Sequence, residues 1–282
     1  MSKLHLITVA THSERYFPVL DQQTKDKDIE LIKLAYGKEY TGHFMKDLEM
    51  IKYLNKPEVK EEDIIVFVDG FDTLLISDKD EIISKFKKFN CKMLLSIENV
   101  GKLSFIHSAV FQKVMGKFIN TGLYMGYAGY MKKFLEEMYD SDYNINSNQK
   151  TWANFLEKKS DYEDIGLDIE SEIFLNYSFT TTNRIKIKNG RINLNNILPC
   201  FIQGNGGEDL SKIIKETGHT KYDIHRDKRT FKVIETNLKA VFLIYPIVAL
   251  YITLLIFIFV VITLFFHKIY TLYNDKYYYI YL

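Results

Sequence analysis

Two aspartates lie at the end of one short apolar run, and their type and spacing suit metal-ion chemistry. Asp69 and Asp72 follow the segment Ile64–Val68 and are separated by a turn that contains Gly70. Carboxylates placed in this way can direct their oxygens at one hard cation, and Mg²⁺, Ca²⁺ and Mn²⁺ are the ions that such oxygens prefer. The alternative is a plain strand end followed by an Asx-type turn, which Asp and Gly favour by themselves.

The run before these aspartates is predicted to be a strand that is buried on both faces. Ile64–Val68 is continuously apolar and rich in β-branched residues, as expected for a central strand of a parallel sheet. Ligands of open α/β sheets bind at the carboxyl ends of the strands. Asp69 and Asp72 are therefore expected to face a site and not the core.

The elements that must position this site alternate between strands and helices. This alternation is typical of a mostly parallel sheet flanked by helices, so the sequence predicts an α/β fold. Small residues at Gly122, Gly126 and Ala128 indicate that the backbone of Phe118–Ala128 approaches another group closely. The predicted strands are Lys3–Ala10, Ile29–Ala35, Ile64–Val68 and Lys92–Ile97, and the predicted helices are Tyr16–Gln23, Tyr40–Leu54, Asp78–Phe89, Tyr130–Met138 and Thr151–Lys159.

A second loop with chemical potential follows Pro199. The segment Pro199–Gly207 is predicted to be a strand that leads into a glycine-rich loop, whose amides can approach an anion closely. An ordinary turn explains the same glycines, and without further context it is the favoured interpretation. The loop becomes informative only if it lies on the same crevice as the two aspartates.

Composition excludes some classes of partner and framework. The formal net charge of +1 gives no reason to expect nucleic-acid binding. The two cysteines, Cys91 and Cys200, do not provide a disulfide framework, which fits reducing surroundings.

The C-terminal part of the chain has the composition of a membrane anchor. No charged residue occurs from Val241 to Phe266, and at about 1.5 Å per residue this run exceeds the roughly 30 Å hydrocarbon core of a bilayer. More basic residues precede this run than follow it, which places the N-terminal part on the cytoplasmic side. The preceding basic residues are Lys221, Arg226, Lys228, Arg229, Lys232 and Lys239, and those that follow are Lys268 and Lys276.

With these motifs placed, residues 4 to 210 resemble the glycosyltransferase domain of the procollagen lysyl hydroxylases and, more loosely, other GT-A enzymes. The matching stretches occur in the same order and at comparable spacing, so together they are specific although each alone is weak. They are Leu6–Thr11, the helix that holds Lys46, Asp69–Asp72 as a D-x-x-D metal motif, Ser96–Glu98, Phe118–Ala128 and Pro199–Gly206.

The resemblance implies a GT-A-like (Rossmann-like) fold that binds a UDP-sugar through Mn²⁺ or Mg²⁺ and passes a hexose to a hydroxyl acceptor, such as hydroxylysine in a collagen-like protein. For Lys46 a solvated helix face is an equal alternative to phosphate binding, and for Glu98 a satisfied buried acid is favoured. The implied metal ligands are Asp69, Asp72 and Gln203. The implied nucleotide-sugar contacts are Thr8, Val9, Ala10, Thr11, Lys46, Phe71, Gly204, Asn205 and Gly206, and the implied acceptor-side residues are Asn148 and Gln149.

The chain departs from the family pattern at three places. Gln203 stands where the family has a metal-binding histidine, and Gly207-Glu208-Asp209 stands where it tends to supply a lysine, Lys212 being the nearest here. Asn146-Ser147-Asn148-Gln149 stands where the family has a run of aspartates before a glutamine, so the carboxylates are lost. These changes motivate an alternative function, a catalytically degenerate, membrane-tethered binding or scaffold protein. A glycoside hydrolase fits less well, because that chemistry needs two carboxylates facing each other across a sugar.

The sequence thus predicts a glycosyltransferase domain at residues 1–215, a basic juxtamembrane linker at 216–240, a transmembrane helix at 241–266 and a short aromatic tail at 267–282. The expected partners are a UDP-sugar donor, a protein or glycan hydroxyl acceptor and a lipid bilayer, with no nucleic acid.

Overall fold

The computed structural model describes residues 2–98, 112–141, 147–158, 164–178, 181–188, 190–205, 208–218 and 246–278. The chain divides into two compact units, Met1–His225 and Arg226–Leu282.

A six-stranded sheet forms the centre of the first unit, in the order β2-β1-β3-β6-β5-β7. β1 is parallel to β2 and to β3, and β5 is parallel to β7, whereas β6 runs antiparallel to both of its neighbours. The expected α/β class with a mostly parallel, helix-flanked sheet is confirmed. The strands of this unit are β1 Leu4–Val9, β2 Leu31–Leu34, β3 Ile64–Val68, β4 Thr73–Leu75, β5 Met93–Ile97, β6 Ile119–Tyr127, β7 Ile165–Leu167, β8 Phe174–Tyr177, β9 Ile185–Lys188, β10 Arg191–Leu194 and β11 Phe201–Gly204.

Helices cover both faces of this sheet. Local sequence explains the start of α3, because the Asp78 side chain caps it by accepting a hydrogen bond of 2.8 Å from the Glu81 amide. Acidic residues in the first turn of α3 and lysines in its last turn also suit the helix dipole. The helices are α1 Phe17–Asp26, α2 Met45–Leu54, α3 Lys79–Lys88, α4 Ala128–Asp140, α5 Asn148–Lys158, α6 Ser211–Glu216 and α7 Pro246–Tyr278, and Thr182–Arg184 forms a 3₁₀ turn.

The strand alternation divides the core between the two faces of the sheet. Ile7 and Phe67 pack on one face with residues of α2, α4 and α5. Leu6 and Val66 pack on the other face with residues of α1 and α3. Because both faces are covered, β1 and β3 are buried along their whole length, and their carboxyl ends are where polar residues can reach solvent.

A small second sheet carries the glycine-rich loop to the carboxyl end of β3. Its order is β4-β11-β8, with β11 antiparallel to β4 and parallel to β8. β4 immediately follows the turn after β3, so the register that pairs Gln203 with Thr73 brings the end of β11 to that turn. The hairpin of β9 and β10 packs on a third apolar cluster with β4, β8, β11 and α6.

The start of α2 and the presence of β4 were not expected from the sequence. The helix expected from Tyr40 begins at Met45, and Gly42 before it has a φ of 126°, outside the helical region. The strand β4 was not predicted, because three residues are too few to show a periodic pattern.

The second unit contains α7. The stretch Leu250–Lys268 is long and apolar enough to cross a membrane by length and composition. Its large apolar side chains, such as Phe259 and Leu250, are exposed. Residues 241–245 of the predicted span and the basic linker lie outside the described residues.

Candidate functional site

Asp69 and Asp72 lie in the turn that joins the two sheets. Asp69 directly follows β3, and its amide donates a 2.8 Å hydrogen bond to the carbonyl of Gly122 on β6. The carbonyl of Asp72 accepts a 2.8 Å hydrogen bond from the amide of Gly204 on β11. Backbone hydrogen bonds thus fix both residues, and the carboxylates lie at the carboxyl end of the central strand, as expected.

Gln203 meets both carboxylates, although it lies more than a hundred residues away in sequence. Its Nε2 donates to Asp69 Oδ2 at 3.2 Å and to Asp72 Oδ1 at 3.1 Å. Its Oε1 is buried and has no hydrogen-bond partner among the described residues. The structure therefore brings Gln203 into contact with both of the other implied metal ligands.

Lys46 adds a positive charge to this cluster. Its Nζ bonds to Asp69 Oδ1, the carboxylate oxygen that Gln203 does not contact, and the Lys46 side chain is only 19% exposed. Burial lowers the pKa of Lys46, but the carboxylate of Asp69 outweighs burial, so the net pKa is raised. Of the two alternatives for this lysine, the solvated helix face is wrong.

Glycine at position 122 leaves the space in which the three groups meet. A Cβ atom built on Gly122 would collide with Gln203 Nε2 and would lie 2.7 Å from Asp69 Oδ2 and 2.8 Å from Gln203 Oε1. A side chain at this position would fill the space between the candidate ligands. The close approach predicted from the small residue at Gly122 is therefore an approach to the site.

The electrostatics of the aspartate pair favour a bound positive charge. Burial raises the pKa of Asp72, and the neighbouring carboxylate of Asp69 raises it further, against the opposing effects of Gln203 and Lys46. Without a cation the pair therefore tends to keep a proton.

The donor set fits a hard divalent ion. Two carboxylates and an amide oxygen are hard-ion ligands, and Gln203 Oε1 is a buried acceptor that has no donor in the described part of the chain. No cluster of three or more His, Cys, Asp or Glu side chains with metal-binding geometry occurs in the described part of the chain, since the third donor here is an amide.

The end of β1 lies beside the aspartate turn. The Thr8 hydroxyl is buried and has no partner among the described residues, and it lies 2.7 Å from a Cβ built on Gly70. Val9 and Ala10 bury their side chains, so only their backbone can contact a ligand. Thr11 is partly exposed, and its carbonyl accepts a 2.8 Å hydrogen bond from Gly37.

Phe71 is partly exposed in the turn between the two aspartates. Its ring centroid lies 5.3 Å from that of His12 and 6.5 Å from that of Phe17. One side of the candidate site is therefore aromatic, which suits a flat nucleobase.

The loop after β11 is used differently from the phosphate cradle that the resemblance implies. The Gly204 amide bonds to the Asp72 carbonyl at 2.8 Å and is not available to a phosphate, which corrects the role expected for it. The Asn205 side chain donates to Glu98 Oε2. Gly206 lies outside the described residues.

A polar network continues from this cluster toward the expected acceptor side. Glu98 Oε1 accepts a 3.0 Å hydrogen bond from Asn120 Nδ2, which also donates at 3.0 Å to Asn176 Oδ1. The amide of Gly122 donates to Asn120 Oδ1 at 2.6 Å, so this network is connected to the cluster of Asp69, Asp72 and Gln203. Burial raises the pKa of Glu98 to about 7, although hydrogen bonds from Asn205, Asn120 and Gln149 oppose the shift. The expectation that Glu98 is a satisfied acid is confirmed.

Asn148 and Gln149 lie at the start of α5 next to this network. Thr121 Oγ1 donates to Asn148 Oδ1 at 3.4 Å, and the side chain of Gln149 forms a hydrogen bond with Glu98. Both positions carry neutral amides, so they supply no carboxylate to an acceptor.

The sequence also matches a known family along most of its length. A profile of the family described as PLOD GT domain matches residues 1–214. The chain belongs to this family. The resemblance expected from the sequence is confirmed. Residues 1–214 are therefore called the PLOD GT domain.

Relatives of this PLOD GT domain are much longer proteins. Procollagen-lysine,2-oxoglutarate 5-dioxygenase 1 of Gallus gallus is 27% identical over 224 residues, which cover 73% of this chain and 30% of that protein. The Drosophila melanogaster procollagen-lysine,2-oxoglutarate 5-dioxygenase is 26% identical over 234 residues, with 75% and 31% covered. The chain thus spans about a third of the length of these relatives.

Solved structures with a similar chain course include two sugar-transferring enzymes. A glycosyltransferase involved in the glycosylation of the major capsid of PBCV-1 is 10% identical, with a TM-score of 0.48, and 77% of this chain and 98% of that chain are covered. The galactosyltransferase LgtC, in complex with donor and acceptor sugar analogs, is 9% identical, with a TM-score of 0.36 and coverages of 61% and 75%. Likeness at this level concerns the fold alone.

Sequence reasoning missed two residues of the PLOD GT domain site. Asn120 and Asn176 are buried and join β5, β6 and β8, with Asn176 Nδ2 donating 2.6 Å hydrogen bonds to Ser96 Oγ and the Ile97 carbonyl. Polar amides within apolar strand patterns, such as Asn120 in Phe118–Ala128 and Asn176 in Phe174–Tyr177, are a signal that could have identified them.

Proposed function

We propose that this chain is a metal-dependent glycosyltransferase that moves a hexose, glucose or galactose, from a UDP-sugar to a hydroxyl acceptor, with hydroxylysine in a collagen-like protein as the first acceptor to test. The observation that carries the proposal is the meeting of Asp69, Asp72 and Gln203 beneath Gly122, at the carboxyl end of the central strand. Family membership of residues 1–214 supports the reaction class.

The cation-binding groups act on the diphosphate of the donor. Mn²⁺ or Mg²⁺ held by Asp69, Asp72 and Gln203 would supply Lewis-acid stabilisation of the charge that develops on the departing UDP. Lys46 contacts the oxygen of Asp69 that lies away from Gln203, so its ammonium group is placed to pair with a phosphate as a point charge.

The nucleoside half of the donor is assigned to the end of β1 and the turn after β3. Phe71 offers a partly exposed aromatic ring for the uracil. The Thr8 hydroxyl, which has no partner among the described residues, and the backbone of Val9 to Thr11 offer hydrogen-bonding groups.

The sugar and its acceptor are assigned to the network around Glu98. Asn120, Gln149 and Asn205 contact this carboxyl with amides, which suit hydroxyl groups because each amide both donates and accepts. We assign no catalytic base to the protein, since the departing phosphate can accept the proton of the acceptor hydroxyl.

The test uses the full chain in detergent with Mn²⁺ or Mg²⁺ and a panel of UDP-sugars. We expect saturable UDP binding and release of UDP from UDP-glucose or UDP-galactose, both lost in the Asp69→Ala and Asp72→Ala variants. If neither signal appears and the two variants behave like the parent, the enzymatic proposal is wrong.

A second candidate function is a catalytically degenerate member of the family that serves as a membrane-tethered binding or scaffold protein. Gln203 stands where the family has a histidine, and Asn146-Ser147-Asn148 stands where it has aspartates, and these neutral residues favour this candidate. Nucleotide binding without turnover on any acceptor, including collagen-like peptides, would support this candidate over the enzyme.

We also propose that α7 anchors the protein in a bilayer with the N-terminal domain in the cytoplasm. The apolar stretch Leu250–Lys268 and the basic residues that precede it support this arrangement. The domain boundaries in this proposal are 1–215, 216–240, 241–266 and 267–282.

A further inference from the structure

The Gln203 side chain is held with its amide nitrogen, and not its oxygen, toward the two aspartates. Nε2 donates to both carboxylates, while Oε1 is buried without a partner among the described residues. A buried acceptor without a donor is unfavourable. This orientation therefore satisfies the carboxylates at the expense of the Gln203 oxygen.

Rotation of the amide by half a turn exchanges the two atoms without changing the shape of the side chain. Oε1 would then occupy the place of Nε2, which lies 3.2 Å from Asp69 Oδ2 and 3.1 Å from Asp72 Oδ1. Adjacent oxygen ligands of an octahedral Mg²⁺ ion are separated by about 2.9 Å, from metal–oxygen distances of roughly 2.0–2.1 Å. The amide of Gln203 is thus already spaced from each carboxylate as a neighbouring ligand of one ion would be.

After this rotation, the donor atoms that Asp69, Asp72 and Gln203 offer to a cation are all oxygens. An imidazole at position 203 would add a nitrogen ligand, which favours later transition metals over Mg²⁺, whereas carboxylate and amide oxygens suit Mg²⁺, Ca²⁺ and Mn²⁺ alike. Gly122 leaves room for these three side chains, because any Cβ at that position would touch Gln203 and Asp69.

We propose that Gln203 determines the cation selectivity of this site: its amide reverses when a cation binds, and the resulting all-oxygen site discriminates weakly between Mn²⁺ and Mg²⁺, so that Mg²⁺ can serve. This inference rests on the proposed function, because it concerns the same site. It goes beyond that function by naming the residue that sets the choice of ion and its two orientations.

The experiment measures free Mn²⁺ by electron paramagnetic resonance during titration of the full chain in detergent, with UDP present, and then adds competing Mg²⁺. The readout is the dissociation constant for Mg²⁺ divided by that for Mn²⁺. The same ratio, measured for citrate in a separate titration in the same buffer, is the all-oxygen reference. For the wild type we expect a ratio within about threefold of that for citrate.

Two substitutions separate the type of donor from its charge. Gln203→His should raise the ratio at least roughly tenfold, because the nitrogen ligand favours Mn²⁺. Gln203→Glu keeps an oxygen donor, so both ions should bind more tightly while the ratio stays within about threefold of the wild type. Thermal unfolding of each variant controls for folding, and the wild-type comparison with citrate stands even if one variant fails to fold.

The outcomes distinguish this inference from the proposed function. A Gln203→His ratio equal to that of the wild type, or a wild-type ratio far above that of citrate, overturns the inference while leaving a cation site. Failure of the wild type to bind Mn²⁺ overturns the inference and removes the metal from the proposed function as well.

Discussion

At the scale of single residues, Gly122 decides whether the three candidate ligands can share a cation. Gly122→Ala places a methyl group against Gln203 and Asp69 Oδ2, so we expect cation affinity to fall at least roughly tenfold. Calorimetric titration with Mn²⁺ in the presence of UDP measures this loss.

Gly166→Ala is the matched control for that substitution. Gly166 also lies in a strand, and its added Cβ would meet the side chains of Cys91 and Leu94 at 3.0 and 3.2 Å, in a place without candidate ligands. We expect this control to cost stability but to bind the cation normally. Unchanged Mn²⁺ binding in Gly122→Ala would show that the ion does not bind between Asp69, Asp72 and Gln203.

The proton on Glu98 provides a second test. Burial raises its pKa from 4.5 to about 7, so the folded state holds a proton that the unfolded chain loses within this range. The free energy of unfolding therefore falls as pH rises through this window. Glu98→Gln removes this titration. The free energy of unfolding of the variant minus that of the wild type should therefore be larger at about pH 8 than at about pH 5, by about 1–3 kcal/mol.

Denaturant unfolding of the full chain in detergent at the two pH values measures this difference. Glu98→Gln should also release UDP from a UDP-sugar more slowly than the wild type, because the Glu98 carboxyl group belongs to the proposed sugar site. A stability difference that is the same at both pH values would contradict the raised pKa.

The residues of the site were predictable to different degrees from sequence. Asp69 and Asp72 could be identified because the carboxyl end of a buried strand is where α/β sheets bind ligands, but an Asx-type turn explains the same residues until the resemblance is added. Gln203 emerged only through the resemblance, since a lone glutamine carries no signal of its own. Asn120 and Asn176 were missed because their importance arises from contacts between strands that are distant in sequence.

At the scale of secondary structure elements, one ion cluster joins α3 to the β9–β10 hairpin. Glu81 contacts Arg191 at 2.9 Å and Lys85 at 2.8 Å. Burial acts to raise the pKa of Glu81, but the hydrogen bonds from Arg191 and Lys85 outweigh it and lower the pKa to about 2.

Because this pKa is depressed from 4.5, the cluster stabilises the fold above about pH 4.5 and loses its effect as pH falls toward about 2. Glu81→Gln should therefore lower the free energy of unfolding near neutral pH by about 1–2 kcal/mol, allowing for the partial exposure of Arg191.

The deficit of this variant should shrink in acid, and urea unfolding at neutral pH and near about pH 3 measures both values. Glu157→Gln, at an exposed position of α5, is the control and should change stability by less than about 0.5 kcal/mol. An equal deficit at both pH values would show that the cluster does not titrate as described.

The elements themselves were largely predictable where apolar periodicity is long, as in β3, α3 and α4. Boundaries were less predictable, since Gly42 moves the start of α2 from Tyr40 to Met45. The strand β4 depends on pairing with β11, and no local pattern announces such a partner.

At the scale of the whole molecule, the orientation of the chain across a bilayer is the open structural prediction. The basic residues before α7 should keep the N-terminal domain on the cytoplasmic side. In sealed microsomes whose cytoplasmic face is outward, added protease should therefore digest the N-terminal domain and leave a small fragment that contains α7.

An epitope tag at the N-terminus makes the digestion visible, and a lumenal protein of the same vesicles is the control for intact membranes. Protection of the N-terminal domain in intact vesicles, with digestion only after detergent, would reverse the predicted orientation.

The overall architecture follows from sequence because strand and helix patterns alternate and both faces of the sheet must be covered. The contact between the end of β11 and the turn after β3 does not follow in this way. It requires the small second sheet, whose register places Gln203 opposite Thr73 and next to both aspartates. That contact is the physical basis of the proposed site.

The most direct test of this account is a crystal structure of the full chain with Mn²⁺ and UDP, with data collected at the manganese absorption edge. The account predicts one anomalous peak in contact with Asp69, Asp72, Gln203 and the diphosphate. A nucleotide bound elsewhere, or a peak that does not contact these three side chains, would contradict it.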